Sequence, residues 1–238
     1  MKLAIETPIS QLALSSYADF DFIIAPFLQD PTYKAFFKAS KRFKILDNGA
    51  YEEQLVVEEL VSLAKELSVN VIVTPDYVGK RKETVILADV FGSWFHQEGY
   101  QAMAVVQGQD MFDFFACLKE LEGVKLDWLG IPLRPFGSVW EEAEENRARF
   151  VSEMQLESCC SLHLLGLSSL AALSLYKNLS IQSVDTSLPC LAALEDQTIE
   201  RYKKTSRKLD FFVEMTPLQV QLAFYNIGCL KTLCHEIR

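Results

Sequence analysis

Short apolar runs alternate with longer amphipathic segments from one end of the chain to the other. The runs are mostly apolar without strict alternation, which is typical of strands buried on both faces of a parallel sheet. Eight such runs can be distinguished: Leu3–Ile5, Phe22–Pro26, Phe43–Leu46, Val69–Thr74, Ala102–Val106, Trp128–Ile131, Leu162–Leu165 and Ile181–Val184.

The segments between the runs carry apolar residues at helical spacing. The predicted helices are Glu52–Leu67, Met111–Leu121, Trp140–Met154, Leu170–Leu179, Ile199–Lys208 and Pro217–Ile227. The segment Trp140–Met154 is so rich in charge that it is interpreted as an exposed helix.

Eight buried strands separated by helices favour an α/β fold, a closed (β/α)₈ barrel rather than an open doubly wound sheet. The chain of 238 residues fits one such domain, spanning residues 1–238. The segment after Leu3–Ile5 is short and only partly helical, so the sequence leaves an irregular or incomplete barrel open as an alternative to a regular one.

Composition and charge narrow the possible partners. No uncharged run approaches the roughly 18–20 residues of a membrane span, and the N-terminus lacks a signal-peptide pattern, so we expect a cytoplasmic protein (host cytoplasm if phage-encoded). The net charge of −9 does not favour a polyanionic partner. Basic clusters nevertheless occur, and each taken alone is best interpreted as a solvated helix face: Lys38 to Lys44, Lys80 to Lys82 and Arg201 to Lys208.

The six cysteines do not form a disulfide framework. Cys229, Cys234 and His235 give only three zinc ligands at poor spacing, so buried or surface thiols are the better interpretation. We therefore predict no metal and no cofactor.

Polar residues follow several predicted strands at the end where barrel enzymes carry their reactive groups. They are Asp47, Asp76, Gln107 and Asp185, with Gly130 inside the sixth strand. A single Asp after a strand is often a turn former, whereas several on one rim indicate a site.

Two of these positions have neighbours suited to a flat heterocycle. Asp47-Asn48-Gly49 reads as an Asx-type turn, or as a carboxylate followed by the stacking ring of Tyr51. Gln107, followed by a glycine, can donate and accept hydrogen bonds at a purine edge. His163 is interpreted as a packing or hydrogen-bonding histidine.

These residues resemble the tRNA-guanine transglycosylases and their relatives that insert 7-deazaguanines into DNA. The Asp-Ser-Gly-Gly-Phe element of that family resembles residues 47–51, and its Val-Gln-Gly-Gly element resembles residues 106–109. Further resemblances follow in the same order as in the family. Asp76 resembles its base-recognising Asp, and residues 129–133 resemble its Gly-Gly-Leu strand end. Residues 163–166 resemble its Tyr-Leu-Met-Gly strand, and residues 185–189 resemble its nucleophile motif.

The chain departs from the family in ways that bear on the substrate. The Cys-x-Cys-x-x-Cys element and downstream His that hold zinc in tRNA-acting members are absent, as is the Arg after the Pro motif. The chain is also shorter than those members. It therefore resembles the compact phage and mobile-element branch that modifies DNA, and DNA is the expected partner in preference to tRNA.

The resemblance implies a role for each residue. Asp185 would be the nucleophile and Asp47 the acid/base partner. Asp76, Gln107, Gly130, Tyr51, Leu165 and Asn48 would bind a guanine or 7-deazaguanine base, and Arg134 could contact a phosphate.

Four alternatives remain open from the sequence. The first is a tRNA-guanine transglycosylase. The second is a nucleoside N-glycosidase that uses the same carboxylates. The third is a barrel enzyme for a small phosphorylated metabolite, for which Leu167-Ser168-Ser169 and Thr186-Ser187 are poor anion sites. The fourth is a non-catalytic interaction protein. The oligomeric state is not determined by the sequence.

Overall fold

A computed structural model describes residues 1–50, 57–133, 136, 140–154, 160–202 and 208–237. For residues 140 and 141 it describes the backbone only. Eight strands form one parallel sheet in the order β1-β8-β7-β6-β5-β4-β3-β2. The strands are β1 Lys2–Ile5, β2 Asp21–Ile24, β3 Lys44–Asp47, β4 Val71–Val73, β5 Gln101–Val105, β6 Trp128–Pro132, β7 Ser161–Leu165 and β8 Ser183–Thr186. All eight predicted strands are confirmed.

Helices follow the strands and cover the outside of the sheet. The α-helices are α1 Pro31–Ala39, α2 Val57–Leu67, α3 Arg81–Gln97, α4 Met111–Leu121, α5 Trp140–Glu153, α6 Leu188–Leu194 and α7 Pro217–Glu236. Short 3₁₀ helices span Ile9–Tyr17, Ala25–Gln29 and Ala171–Tyr176. The prediction of a (β/α)₈ barrel is confirmed, and the 3₁₀ segments after β1 and β7 make it irregular.

The barrel has a seam between β1 and β2, which share no ladder. The edge of β1 is satisfied by Asp19, whose carboxylate accepts from Leu3 N at 2.9 Å and whose own N–H donates to Leu3 O at 2.8 Å. On the other edge, Ile24 N of β2 donates to the hydroxyl of Tyr33 at 3.1 Å. The backbone groups that closure would pair are therefore bonded to a loop and a helix side chain.

Large side chains fill the barrel interior. The ring of Phe22 on β2 stacks on the imidazole of His163 on β7, with centroids 5.3 Å apart and an interplanar angle of 14°. These strands lie on different sides of the barrel, so their contact crosses its axis. Because side chains alternate between the two faces of a strand, this contact identifies the inward-facing positions on both strands and on their registered neighbours.

Several helix predictions need correction. Leu170–Leu179 is helical only over Ala171–Tyr176, as a 3₁₀ helix. The helix α7 continues past Ile227 to Glu236, because buried residues recur beyond Gly228. Their burial offsets the cost of about 1 kcal/mol of placing a glycine inside a helix. The predicted helix Ile199–Lys208 is wrong in its described part, where residues 199–202 form a turn. There Ile199 N donates to the side chain of Asn226 on α7 at 2.9 Å.

The helix over Trp140–Met154 is confirmed as α5, but its interpretation as an exposed helix is wrong on one face. Glu144 and Arg147 lie one turn apart and are 1% and 0% exposed. Their opposite charges allow both to be buried together. Across the described part of the chain, no helix has the length and apolar character needed to cross a membrane.

Candidate active site at the carboxyl end of the barrel

Asp185 lies on the inner face of β8, one residue before the strand ends. It is only 4% exposed. Asp185 and Ser183, two residues earlier on the same face, both bond to His163, whose ring lies inside the barrel. The carboxylate therefore projects into the interior at the end of the barrel where strands give way to loops.

The hydrogen bonds that Asp185 makes with other described residues fall on one oxygen. Oδ1 lies 3.0 Å from His163 Nε2 and accepts from Gly166 N at 3.2 Å. Ser183 Oγ lies 2.8 Å from His163 Nδ1. With Asp185 ionised and His163 neutral, Nε2 carries the proton and the Ser183 hydroxyl donates to Nδ1. Among the described residues, no hydrogen bond reaches Oδ2.

The three residues Ser183, His163 and Asp185 are the types of a hydrolytic triad, but they are arranged for a different task. Ser183 is 2% exposed and lies one layer below Asp185, on the side away from the barrel mouth. A substrate entering from the mouth meets Asp185 first. The serine and histidine therefore support the carboxylate from beneath, and the interpretation of His163 as a hydrogen-bonding residue agrees with this geometry.

Asp47 is the last residue of β3 and is partly exposed. Lys44, three residues earlier, points outward, because its amine donates to Leu67 O at the end of α2 at 2.5 Å. Alternation then directs Ile45 and Asp47 inward, and Ile45 pairs with the inward-facing Phe22. Asp47 Oδ2 accepts from Gly49 N at 2.8 Å, so the predicted Asx-type turn is also present.

Asp76, Asn48 and Gln107 form one buried hydrogen-bonded group after β3, β4 and β5. Asn48 Nδ2 donates to Asp76 Oδ1 at 2.8 Å, and Gln107 Nε2 donates to Asp76 Oδ2 at 2.6 Å. Gln107 Oε1 accepts from Gly79 N at 3.2 Å, which fixes the direction of the amide. All three side chains are at most 2% exposed.

Two features of this group suit a polar ligand. Burial raises the pKa of the Asp76 carboxyl above its usual range, although the hydrogen bonds from Asn48 and Gln107 oppose the rise. Asn48 Oδ1 is buried without a hydrogen-bond partner, a situation that costs about 1–3 kcal/mol. A ligand donor that reached this oxygen after a small movement would recover part of that cost.

Gly130 and Leu165 lie side by side on β6 and β7. A Cβ at Gly130 would lie 3.2 Å from Leu165 Cδ1 and 3.3 Å from Val105 Cγ2, so the glycine leaves room for these side chains. Gly130 O accepts from Val106 N at 2.9 Å within the sheet. Two other predicted residues, Tyr51 and Arg134, lie outside the described residues.

Glu6 is a carboxylate that the sequence analysis missed. It directly follows β1, and Ala4, two residues earlier, pairs with the inward-facing Asp185, so alternation directs Glu6 to the mouth as well. Burial raises the pKa of the nearby Tyr33 phenol, and the negative charges of Glu6 and Asp47 raise it further. An acidic residue one position after the first apolar run was the available signal.

A buried cluster of Glu144, Arg147 and Tyr176, here called the α5 clasp, holds the ends of β6 and β7. Arg147 donates to Leu165 O at 3.0 Å, Gly166 O at 2.9 Å and Tyr176 Oη at 2.7 Å, and it pairs with Glu144 at 2.8 Å. The clasp therefore fixes the peptide whose Gly166 N–H binds Asp185.

Comparison of the chain with protein-family models finds no matching family, and comparison with curated proteins finds no match. Among the described residues, no three His, Cys, Asp or Glu side chains are grouped as a metal site.

The predicted residues that the structure describes form an arc around the mouth. Asp185 contacts Gly166, next to Leu165; Leu165 packs over Gly130; and the group of Asp76, Gln107 and Asn48 leads to Asp47. Chemically, this arc offers a nearly buried carboxylate with one oxygen held by hydrogen bonds, a second and more exposed carboxylate, and amide groups beside a third.

Proposed function

We propose that the chain is a base-exchange transglycosylase that replaces guanine in a nucleic acid, DNA in preference to tRNA, with a 7-deazaguanine base. One observation carries this proposal: Asp185 and Asp47, far apart in sequence, both face the barrel interior at its carboxyl end, beside the buried group of Asp76, Asn48 and Gln107. Two carboxylates and a polar edge for a heterocycle are the groups that such a reaction requires.

In the first half-reaction, Asp185 Oδ2 forms a bond to C1′ of the sugar while the bond from C1′ to the base nitrogen breaks. The electron pair of that bond leaves with the base, which takes a proton from the Asp47 carboxyl. His163 and Gly166 hold Oδ1 in place, so the attacking oxygen is presented in one orientation.

In the second half-reaction, the incoming base gives a ring N–H proton to the Asp47 carboxylate, and its nitrogen attacks C1′. The bond between C1′ and Asp185 breaks, and its electron pair returns to the carboxylate. Both aspartates then regain their starting protonation states, so no cofactor is consumed.

Base recognition is assigned to the buried polar group. The Asp76 carboxylate supplies acceptor oxygens of the kind that the ring N–H and the exocyclic amine of guanine bind. Asn48 Oδ1, which is buried without a hydrogen-bond partner, is a second acceptor beside it. Reaching this group requires the nucleotide to leave its stack, which costs a few kcal/mol in a duplex and less in a single strand.

The loop after β7 speaks against the alternative of a phosphorylated metabolite. Ser168 N, which would face an anion there, donates instead to Glu144 Oε1 at 2.8 Å. After β8, Leu188 N donates to Thr186 Oγ1 at 3.1 Å. The protein's own side chains thus occupy the backbone donors that a phosphate would need.

The proposal is tested by incubating the protein with labelled 7-deazaguanine, or labelled guanine, together with single-stranded DNA, duplex DNA or tRNA. Label should enter DNA, and denaturing mass spectrometry should detect a covalent protein–DNA species. The Asp185→Asn variant should lose both signals, and Asp47→Asn should lose label transfer. The exposed Asp89→Asn variant on α3 is the matched control and should behave as wild type.

Other outcomes separate the alternatives. Label in tRNA alone would replace DNA by tRNA as the substrate. Abasic sites formed at a rate independent of added base would identify an N-glycosidase. Transfer to no polymer by a folded wild-type protein would refute the proposal.

A further inference from the structure

The loops after β4 and β5 form a cleft of about 580 Å³ at the rim of the barrel, here called the rim cleft. Its lining includes Lys80, Lys82, Gln109 and Phe112. It begins next to the candidate site, because Tyr77 directly follows Asp76 and Gly79 N binds the side chain of Gln107. A polynucleotide strand that left the candidate site over this rim would therefore meet the rim cleft first.

One aromatic ring of the rim cleft, Phe112, and one ring beside it, Tyr77, are exposed to solvent. Phe112 is 82% exposed, and Tyr77 is 44% exposed. Neither ring lies against another aromatic ring among the described residues. Exposed rings beside a binding site are the usual platforms on which unpaired bases stack.

The lining of the rim cleft carries three basic and three acidic side chains. Asp110 caps α4 by accepting from Asp113 N at 2.8 Å, and Asp113 pairs with Arg81 at 3.2 Å, whereas Glu83 is exposed. Within the described ranges, neither Lys80 nor Lys82 has a carboxylate within ion-pair distance.

Lys80 instead extends over the neighbouring aromatic ring. Its amine lies 5.3 Å from the centroid of Tyr77, and both lysines are exposed. Exposed lysines next to exposed rings complement a phosphate backbone with unstacked bases.

We propose that the rim cleft binds the single DNA strand that flanks the exchanged nucleotide, with bases on Phe112 and Tyr77 and phosphates on Lys80 and Lys82. This inference rests on the proposed function, in which one nucleotide is drawn into the barrel and its neighbours lie at the mouth. The whole chain carries a charge of −9, and the basic and acidic side chains of the cleft lining are equal in number. The proposed contact therefore depends on the two exposed lysines and the exposed rings, not on the net charge of the surface.

Binding of a fluorescent single-stranded DNA, measured by anisotropy without any added base, tests the inference apart from catalysis. The double variant Lys80→Glu/Lys82→Glu should bind at least about tenfold more weakly at low salt, and the slope of log K against log salt should fall by about 1.4. Its control is Lys119→Glu/Lys125→Glu, which makes the same charge change at the opposite end of the barrel and should bind as wild type.

The aromatic contact is tested separately. Phe112→Ala should weaken binding by about 5- to 150-fold, the range for loss of one stacked base. Phe224→Ala, which removes an exposed ring on α7 across the barrel, is the control. Circular dichroism melts confirm that each variant is folded.

The possible results distinguish this inference from the proposed function. Loss of DNA binding in the rim-cleft variants but not in the controls supports the rim cleft even if no base exchange is detected. If the wild type exchanges bases and all four variants bind DNA as tightly as the wild type does, the rim-cleft inference is overturned but the proposed function is not. If an RNA strand of the same sequence binds more tightly and the same variants weaken its binding, RNA replaces DNA as the occupant of the rim cleft. If the wild type binds neither polymer, the inference is overturned.

Discussion

Replacing Arg147 by Met breaks the α5 clasp while keeping a long, flexible, apolar side chain. In the wild type the guanidinium is fully buried and bonds to Tyr176, to the carboxylate of Glu144 and to the carbonyls of Leu165 and Gly166. In Arg147→Met, Glu144 stays buried with its hydrogen bonds from Tyr176 and Ser168 but without a countercharge.

The structure sets the size of the expected effect. The charge of Arg147 and its hydrogen bonds help to hold the pKa of Glu144 below its usual range against the opposing effect of burial, so loss of the pair removes a real stabilisation. Removing one partner of a buried ion pair costs about 3–5 kcal/mol. For a chain of this length we therefore expect Tm to fall by about 6–20 °C.

Thermal and urea denaturation of Arg147→Met measure this change, and Arg149→Met provides a control on the same helix. Arg149 pairs with Glu153 at 2.7 Å, but its side chain is 73% exposed, so its loss should not change Tm measurably. The double variant Glu144→Gln/Arg147→Met should recover part of the loss, because it leaves no unpaired charge. An Arg147→Met protein as stable as Arg149→Met would refute the clasp as a stabilising element.

Three further predictions concern the site itself. His163→Phe keeps the stacking on Phe22 but removes the bond to Asp185, so kcat for base exchange should fall by about 10- to 150-fold, the value of one bond to a charged group, with little change in KM; an unchanged kcat would contradict the supporting role. Because the pKa of Asp76 is raised, its ionised acceptor form is lost at a higher pH than in an ordinary aspartate. The Kd for free guanine, measured by calorimetry, should therefore increase as the pH falls through that pKa. This pH dependence should vanish in Asp76→Asn. Gly130→Ala introduces a Cβ at 3.2 Å from Leu165 Cδ1 and should destabilise the fold by about 1–3 kcal/mol in urea titration; a wild-type value would show that Leu165 moves aside freely.

The strands of the fold could be predicted from the sequence because the apolar pattern that marks each strand is local. Buried parallel strands need only short apolar runs, and the eight runs lie within a few residues of the eight strands of the barrel. The helices were less predictable, because short helical segments depend on contacts made elsewhere. Residues 199–202 illustrate this, because they form a turn whose start is bonded to Asn226 on α7, far away along the chain.

Part of the candidate site was also readable. The position of Asp47 or Asp185 after an apolar run places it at the mouth once a barrel is assumed. Glu6 follows the same rule and was missed, because the first run is so short. For His163 the sequence indicated a packing or hydrogen-bonding role but not its partners, since Ser183 and Asp185 lie about twenty residues away along the chain and meet it only across adjacent strands.

The sequence by itself determined the number and order of the strands, since hydrophobic burial is written residue by residue in the pattern of side chains. Only the tertiary structure decided which oxygen of Asp185 is held, how Asp76 is wedged between two amides, and that Glu144 and Arg147 are buried rather than solvated. Those outcomes depend on pairings between groups distant in sequence. A charged residue looks the same in the sequence whether its partner is water or another buried side chain.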